Sequence, residues 1–404
     1  MNIISSIKWL PKSYTYEDFF QSYIHTVEAS SEVDGDNEML IQDDEITNEF
    51  DLDNYDDEDM PGEQFFTLSN KDEKLILEDP EDIESRKLDE DDRVIICGNS
   101  GEDCASIDFH IYNTAYCGLE ACHSVLVGSF PLTLEIIPNL PNHGPLVASG
   151  TYESHIDIWD VRYIDLLEPT ITLGNDEKSQ GLGHKDAVQC LSSSPHVVQL
   201  LASGSADNTV KFWDLQEGEV LHTFDHHTSN VQAVQFSPYD PSLILTASFD
   251  RTAALCDIRE FKHVSRFVLE SEVEAAIWRN ENTLIISTED GMVAQYDKRA
   301  NEPVWRIKAH KKPCTSIDIV GGKYDRHEMN NCALDVMVTC GLDSKAKVYN
   351  IDSTKPVKLA SKKLRAGPLF SVSSSPDDRN LVGFGGDVVV IWDLETINDG
   401  ESKE

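Results

Sequence analysis

From about residue 94 the chain is written in short runs in which apolar and polar residues alternate, the two-residue period of a strand with one buried face. The clearest group of four covers residues 188–191, 200–203, 210–213 and 220–224; an earlier group covers 94–97, 107–112 and 124–127. Short strands divided by turn residues predict an all-β fold. Several runs also share an ending. Ile156-Asp157-Ile158-Trp159-Asp160, Val210-Lys211-Phe212-Trp213-Asp214 and Val389-Val390-Ile391-Trp392-Asp393 close on Trp-Asp, and Leu255-Cys256-Asp257, Gln295-Tyr296-Asp297 and Val348-Tyr349-Asn350 are weaker copies. The endings at 159, 213, 256, 296, 349 and 392 are spaced 54, 43, 40, 53 and 43 residues apart. The two long intervals are one period plus an insertion, at 174–182 and 321–331.

A period of about 40–45 residues with a Trp-Asp ending marks the blade of a WD-repeat β-propeller, four antiparallel strands to a blade. Finer spacing agrees. An acidic residue stands six positions before most endings, as Glu153, Asp207, Asp250, Asp290 and Asp343, and Asp387 stands five before the last. Each suits a tight turn, where a carboxylate accepts backbone N–H bonds. His184 and His227 each precede their Asp by 23 residues, and His310 precedes Asp343 by 33 across the insertion. In this repeat His, Asp, a Ser or Thr and the Trp form a buried hydrogen-bonded chain; His184, Asp207 and Trp213 supply its three main members in a single copy. These residues, with His227, Asp250, Asp290, His310, Asp343, Trp159 and Trp392, are therefore read as structural blade residues that satisfy buried polar groups, not as a catalytic pair.

The layout is seven blades. Blade two begins near Phe130, blade four spans 230–268, blade five 273–307, blade six 314–360, and blade seven begins near Leu369 and lacks a fourth strand. The blade before Phe130 has no Trp-Asp ending and takes residues 4–11 as its first strand. The domains expected are an N-terminal strand at 1–11, an acidic and largely disordered insertion at 12–92, the propeller at 93–396 and a disordered tail at 397–404. A closing strand at 64–68, inside the insertion, is a further expectation.

Charge changes the picture of what the fold is for. Net charge is −40, and residues 13–92 hold 29 acidic side chains against 4 basic ones, a balance of −25. Such a field repels nucleic-acid phosphate and attracts basic proteins. The acids Asp51, Asp53, Asp56, Asp57, Glu58 and Asp59 are the candidate partner-binding tract, and Ser31, three residues before Asp34, is a candidate phosphorylation site for an acid-directed kinase. No run of eighteen apolar residues and no charged-then-apolar leader pattern occurs, so neither a membrane span nor secretion is expected. The nine cysteines stand singly, with no C-x-x-C pair. The cluster Cys104, Cys117, Cys122 and His123 is accordingly read as buried or half-buried strand thiols, and no metal is expected. No G-x-S-x-G and no phosphate-binding glycine loop occurs, so neither an enzyme nor a cofactor is expected.

Several segments resemble the periodic tryptophan protein 1 family: Ile4-Ser5-Ser6-Ile7-Lys8-Trp9-Leu10-Pro11, Phe50-Asp51-Leu52-Asp53-Asn54-Tyr55-Asp56-Asp57-Glu58, Asp92-Arg93-Val94-Ile95-Ile96-Cys97-Gly98, and the stretch from Gly183-His184-Lys185 through Ala206-Asp207-Asn208 to Trp213-Asp214. The resemblance runs over nearly the whole chain. It implies a nuclear and nucleolar protein of ribosome biogenesis, tied to pre-ribosomal RNA processing and to chromatin at ribosomal genes. The function expected is a non-enzymatic scaffold, monomeric within a larger complex, that binds basic ribosomal or assembly proteins. The alternative is a reader of histone tails, which would need an aromatic cage; Tyr152, Tyr163, Tyr239 and Phe249 are its candidates.

Overall fold

The structure, a computed structural model, describes residues 3–14, 88–101, 104–137, 140, 144–163, 166–174, 181–300, 302–320, 335–353 and 355–397. The acidic tract 51–59, Ser31, the expected strand 64–68 and most of both inter-blade insertions lie outside these residues.

Seven antiparallel sheets follow one another along the chain. Blade 1 holds β1 (Ile3–Trp9), β2 (Asp92–Ser100), β3 (Ala105–Asn113) and β4 (Gly118–Val127). Blade 2 holds β5 (Pro131–Ile137), β6 (Leu146–Thr151), β7 (Ile156–Asp160) and β8 (Ile171–Leu173). Blade 3 holds β9 (Val188–Ser193), β10 (Leu200–Ser205), β11 (Val210–Asp214) and β12 (Glu219–Phe224). Blade 4 holds β13 (Val231–Phe236), β14 (Leu243–Ser248), β15 (Thr252–Asp257) and β16 (Lys262–Val268). Blade 5 holds β17 (Val273–Trp278), β18 (Thr283–Thr288), β19 (Met292–Asp297) and β20 (Pro303–Lys308). Blade 6 holds β21 (Ser316–Val320), β22 (Val336–Cys340), β23 (Lys345–Asn350) and β24 (Val357–Lys363). Blade 7 has three strands among the described residues, β25 (Ser371–Ser374), β26 (Leu381–Gly385) and β27 (Val389–Asp393).

The first strand of each blade packs against the first strands of its neighbours, so these seven strands ring the axis. Second strands are mostly buried, wholly so in β14 and β6, whereas fourth strands such as β16 and β24 are mostly exposed on the rim. Apolar clusters fill the wedges between neighbouring blades. Ile158 of blade 2, for example, packs with Leu191, Leu201 and the fully buried Trp213 of blade 3.

A polar device repeats at the inner strands. In each case a side chain on one blade accepts a hydrogen bond from a backbone N–H on the next. Ser6 accepts from Leu134 (3.2 Å), Glu135 from Ser193 (3.0 Å), Ser192 from Phe236 (3.2 Å), Gln235 from Trp278 (2.8 Å) and Asp318 from Ser374 (2.7 Å). The seam between blades 7 and 1 uses it too: Ser371 Oγ accepts from the Ile7 N–H at 3.2 Å. There the Trp9 indole also donates to the Ser373 carbonyl (2.9 Å) and the Ile4 N–H to that of Gly386 (2.7 Å). Gly385 allows this approach, because a Cβ on it would stand 2.8 Å from the Ile4 carbonyl oxygen. An inner strand has no ladder partner toward the axis, so these bonds satisfy groups that a flat sheet would leave at an edge.

One expectation needs correction. The thiols of Cys104, Cys117 and Cys122 are exposed, not buried or half-buried. Cys117 and Cys122 belong to the β3–β4 turn and to β4, the rim strand of blade 1, whose central residues face solvent. Alternation along a sequence marks a strand but does not tell a rim strand from an inner one.

Candidate functional site

Two kinds of turn carry the polar residues that recur with the period. The first joins third and fourth strands and begins with the Asp of Trp-Asp. That carboxylate accepts the backbone N–H two residues on: Asp160 from Arg162 (3.1 Å), Asp214 from Gln216 (2.8 Å), Asp257 from Arg259 (2.7 Å), Asp297 from Arg299 (2.9 Å), and Asp393 from Glu395 (2.9 Å). In blade 6 the amide oxygen of Asn350 does the same for Asp352, at 2.8 Å. These are Asx turns, and they explain why an Asp or Asn follows the aromatic position.

The second turn joins second and third strands on the opposite face. Asp207, Asp250, Asp290 and Asp343 sit in it, each followed by a residue in the left-handed region: Asn208 (φ 69°), Arg251 (65°), Gly291 (78°) and Ser344 (60°). Asp207 accepts from the Thr209 N–H (2.9 Å), the Thr209 hydroxyl (2.6 Å) and the Lys185 N–H (3.0 Å), and it holds His184 Nδ1 at 3.0 Å. His184 Nε2 lies 2.7 Å from Ser203 Oγ, which also accepts from the Trp213 indole at 2.7 Å. Burial depresses the His184 pKa below 6.5 against the pull of Asp207. Burial alone would raise the Asp207 carboxyl, but bonds from His184 and Thr209 outweigh it and hold it well below the usual carboxylate range. The pair is neutral imidazole donating to carboxylate, with both ring nitrogens engaged.

Blades 4 and 6 keep the pair without the Trp. His227 Nδ1 lies 3.0 Å from Asp250 and its Nε2 2.9 Å from Thr246 Oγ1; His310 lies 2.9 Å from both Asp343 and Thr339. Asp290 of blade 5 is held by the Thr288 hydroxyl. Trp159 is buried but its indole N–H finds no partner, and Trp392 lies under the Lys362 ammonium at 5.2 Å.

The four cage candidates divide between the faces. Tyr152 and Phe249 lie in turns between second and third strands, Tyr239 between first and second, and Tyr163 beyond a third, so strand alternation puts two at each end of the ring. They do not surround one ligand. Acidic side chains do converge: Glu272, Glu274 and Glu289 meet beside blade 5 on the His–Asp face. Burial first, then the charges of Glu289 and Glu272, push Glu274 up to about 7.

One cluster was missed at the level of sequence. Ligand atoms of His226, Cys256 and His263 all lie within 4.8 Å of one another in blade 4, the single such metal-compatible group among the described residues. Its signal was a Cys in the aromatic position beside a His-His pair.

A ring whose blades repeat these two turns is a WD-repeat β-propeller, and the WD domain, G-beta repeat family model matches residues 177–214 and 218–257, in blades 3 and 4. Over 329 residues the chain is 28% identical to the periodic tryptophan protein 1 homolog of Drosophila melanogaster, covering 76% of this chain and 69% of that one. It is 24% identical over 315 residues to periodic tryptophan protein 1 of Saccharomyces cerevisiae, covering 68% and 54%. A shorter match, 34% over 88 residues, covers 22% of this chain and 17% of ribosome biogenesis protein YTM1 of Candida albicans. The likeness to periodic tryptophan protein 1 thus runs over 68–76% of the chain and includes the WD repeats.

Proposed function

We propose that this protein is a non-enzymatic scaffold of ribosome biogenesis in the nucleus and nucleolus, acting in pre-ribosomal RNA processing and at ribosomal-gene chromatin. In this reading the acidic segment 12–92 recruits basic ribosomal or assembly proteins, and the propeller face sets which of them stay. The observation that carries it is the charge: −25 of the net −40 falls in residues 13–92, attached to a rigid ring. The likeness to periodic tryptophan protein 1 and the local likeness to a ribosome biogenesis protein support the process. The engaged His–Asp pairs, each bonded on both ring nitrogens, support a structural and not a catalytic use of those residues. The division of the aromatic candidates between two faces weighs against the histone-tail reader.

Clustered charge acts as a diffuse field, screened beyond about 8–10 Å at physiological salt, and it speeds encounter more than it slows escape. Replacing Asp51, Asp53, Asp56, Asp57 and Asp59 with Asn and Glu58 with Gln is expected to slow association with a basic ribosomal protein and to flatten its salt dependence, leaving dissociation nearly unchanged. Surface plasmon resonance at several salt concentrations measures both rates. An unchanged association rate and salt slope would remove the recruiting role of the tract.

A further inference from the structure

Blade 4 departs from blade 3 at three positions that meet in space. Cys256 stands where blade 3 has Trp213. His226, just before the paired His227, stands where blade 3 has Gly183 before His184. His263 pairs across the sheet with Cys256, as Val220 pairs with Trp213. A large aromatic, a glycine and an aliphatic are thus exchanged for a thiol and two imidazoles, all three of them metal-ligand side chains.

The distances suit one ion. Cys256 Sγ lies 3.6 Å from His263 Nδ1, and the ligand atoms of all three residues fall within 4.8 Å of one another. Metal–sulfur and metal–nitrogen bonds of about 2.3 and 2.0–2.1 Å meeting at a tetrahedral angle place sulfur and nitrogen roughly 3.6 Å apart. The other separations, up to 4.8 Å, shorten by about an ångström when the ion is bound.

Hydrogen bonding also selects the ligand form of His226. The His227 Nδ1–H is given to Asp250, so its Nε2 must accept, and the one hydroxyl proton available to it is that of Thr246, at 2.9 Å. Having donated that proton, Thr246 Oγ1 can only accept from His226 Nε2, at 3.1 Å. His226 is therefore the Nε2–H tautomer, and its Nδ1 lone pair is buried and has no hydrogen-bond partner. An imidazole oriented through its second nitrogen by a neighbouring hydroxyl is the usual outer support of a metal ligand. Phe224 packs edge-on to His226 at 5.5 Å, and Phe261, held at φ 50°, is in ring contact with Phe224 at 5.9 Å, so one side of the cluster is apolar.

We propose that His226, Cys256 and His263 bind a single d10 cation, zinc(II) or copper(I), which ties the loop entering blade 4 to its third and fourth strands. Binding breaks the Cys256 S–H bond, forms a metal–thiolate bond and releases the proton to solvent, with no change of oxidation state. Copper(I) is satisfied by the three side chains. For zinc the fourth position falls to water on the exposed His263 side.

The test uses the untagged 404-residue chain with Cys104, Cys117, Cys122 and Cys332 changed to Ser, so that these thiols do not compete, stripped with a chelator and kept reduced. Zinc(II) and chelator-buffered copper(I) are titrated separately, and cobalt(II) serves as an optical probe. The expected result is uptake of one equivalent of zinc or copper, a thiolate-to-cobalt charge-transfer band with tetrahedral d–d absorption, and a rise in melting temperature with the metal that binds. Cys256→Ser removes the charge-transfer band. His263→Gln, at an exposed position, leaves the metal-free fold intact and lowers affinity roughly 100-fold or more, beyond what loss of an outer-shell group produces. Tight uptake of one metal and not the other decides between zinc and copper. Failure to take up either metal, or uptake that persists in both Cys256→Ser and His263→Gln, overturns the proposal.

Discussion

Blades 3 and 4 are built on the same plan and solve one problem differently. In both, a hydroxyl on the second strand, Ser203 or Thr246, bonds the buried His and needs a donor of its own. Blade 3 supplies the Trp213 indole; blade 4 supplies His226. The volumes compensate. The residue before the paired His is Gly183 beside Trp213, Ala309 beside Tyr349 in blade 6, and His226 beside Cys256. As the third-strand side chain shrinks, the loop side chain grows. What the fold requires at this point is a filled space and a donor, and Trp is one way of meeting both.

The largest effect that breaks the comparison is Trp213→Ala. The side chain is fully buried and its loss also leaves Ser203 without a donor, so a cost of about 3–5 kcal/mol is expected. A denaturation midpoint within a degree of wild type would disprove it. Next is the reciprocal exchange. Cys256→Trp forces an indole into space held by His226 and His263 and should cost about 1–3 kcal/mol. His226→Gly alone removes a donor and opens a void. The double change rebuilds the blade 3 pairing, so its cost should fall below the sum of the two single changes, which a double-mutant cycle measures. Costs that simply add would show that the two positions do not share one space.

The turn aspartates sharpen the comparison further. Asp207 accepts the Lys185 N–H at 3.0 Å and the Thr209 N–H at 2.9 Å, where Asp343 has contacts of 3.4 and 3.3 Å. Asp207→Ala should therefore cost more than Asp343→Ala, by about 1 kcal/mol on a scale of ~1–3 kcal/mol for unsatisfied buried groups. Equal melting shifts would contradict this. The smallest effect is one of pH. His184 has its pKa lowered by burial, so its contribution is present above 6.5 and is lost as pH falls below that. Glu274 is raised to about 7 from 4.5, so the stability tied to its protonated form is present below 4.5 and is lost as pH rises through 7. Glu274→Gln should flatten the decline between pH 5 and 8 and leave the acid limb unchanged; an unaltered profile would mean that Glu274 is ordinary.

Much of the ring was legible because blade length and the Trp-Asp ending are local facts. The period placed β5 near Phe130 and β13 near residue 230, and the run at 4–11 was readable as a first strand because it ends as Phe236-Ser237-Pro238 does. The cluster in blade 4 was not legible. Its residues are 30 and 7 positions apart in sequence and meet through strand pairing, whereas metal sites announce themselves by close pairs. The cage candidates failed for a related reason. A loop aromatic faces one end of the ring or the other by strand parity, and composition carries no parity. Nor does alternation rank strands by distance from the axis, which is why the thiols of β4 were misplaced.

The seam of the ring has a consequence for synthesis. Strand β1 leaves the ribosome 364 residues ahead of Ser371 and Ser373, the groups that receive its Ile7 and Trp9 N–H bonds. At translation speeds of roughly 5–20 residues per second, that is a wait of about 20–70 s. Throughout it, Ile4, Ile7 and Trp9, all buried in the finished ring, lack the blade 7 part of their cover, Leu381, Val389 and Ile391. The first strand of the ring to leave the ribosome is the last to be fully enclosed, so the nascent chain offers a sticky segment to holding chaperones while the other blades are made.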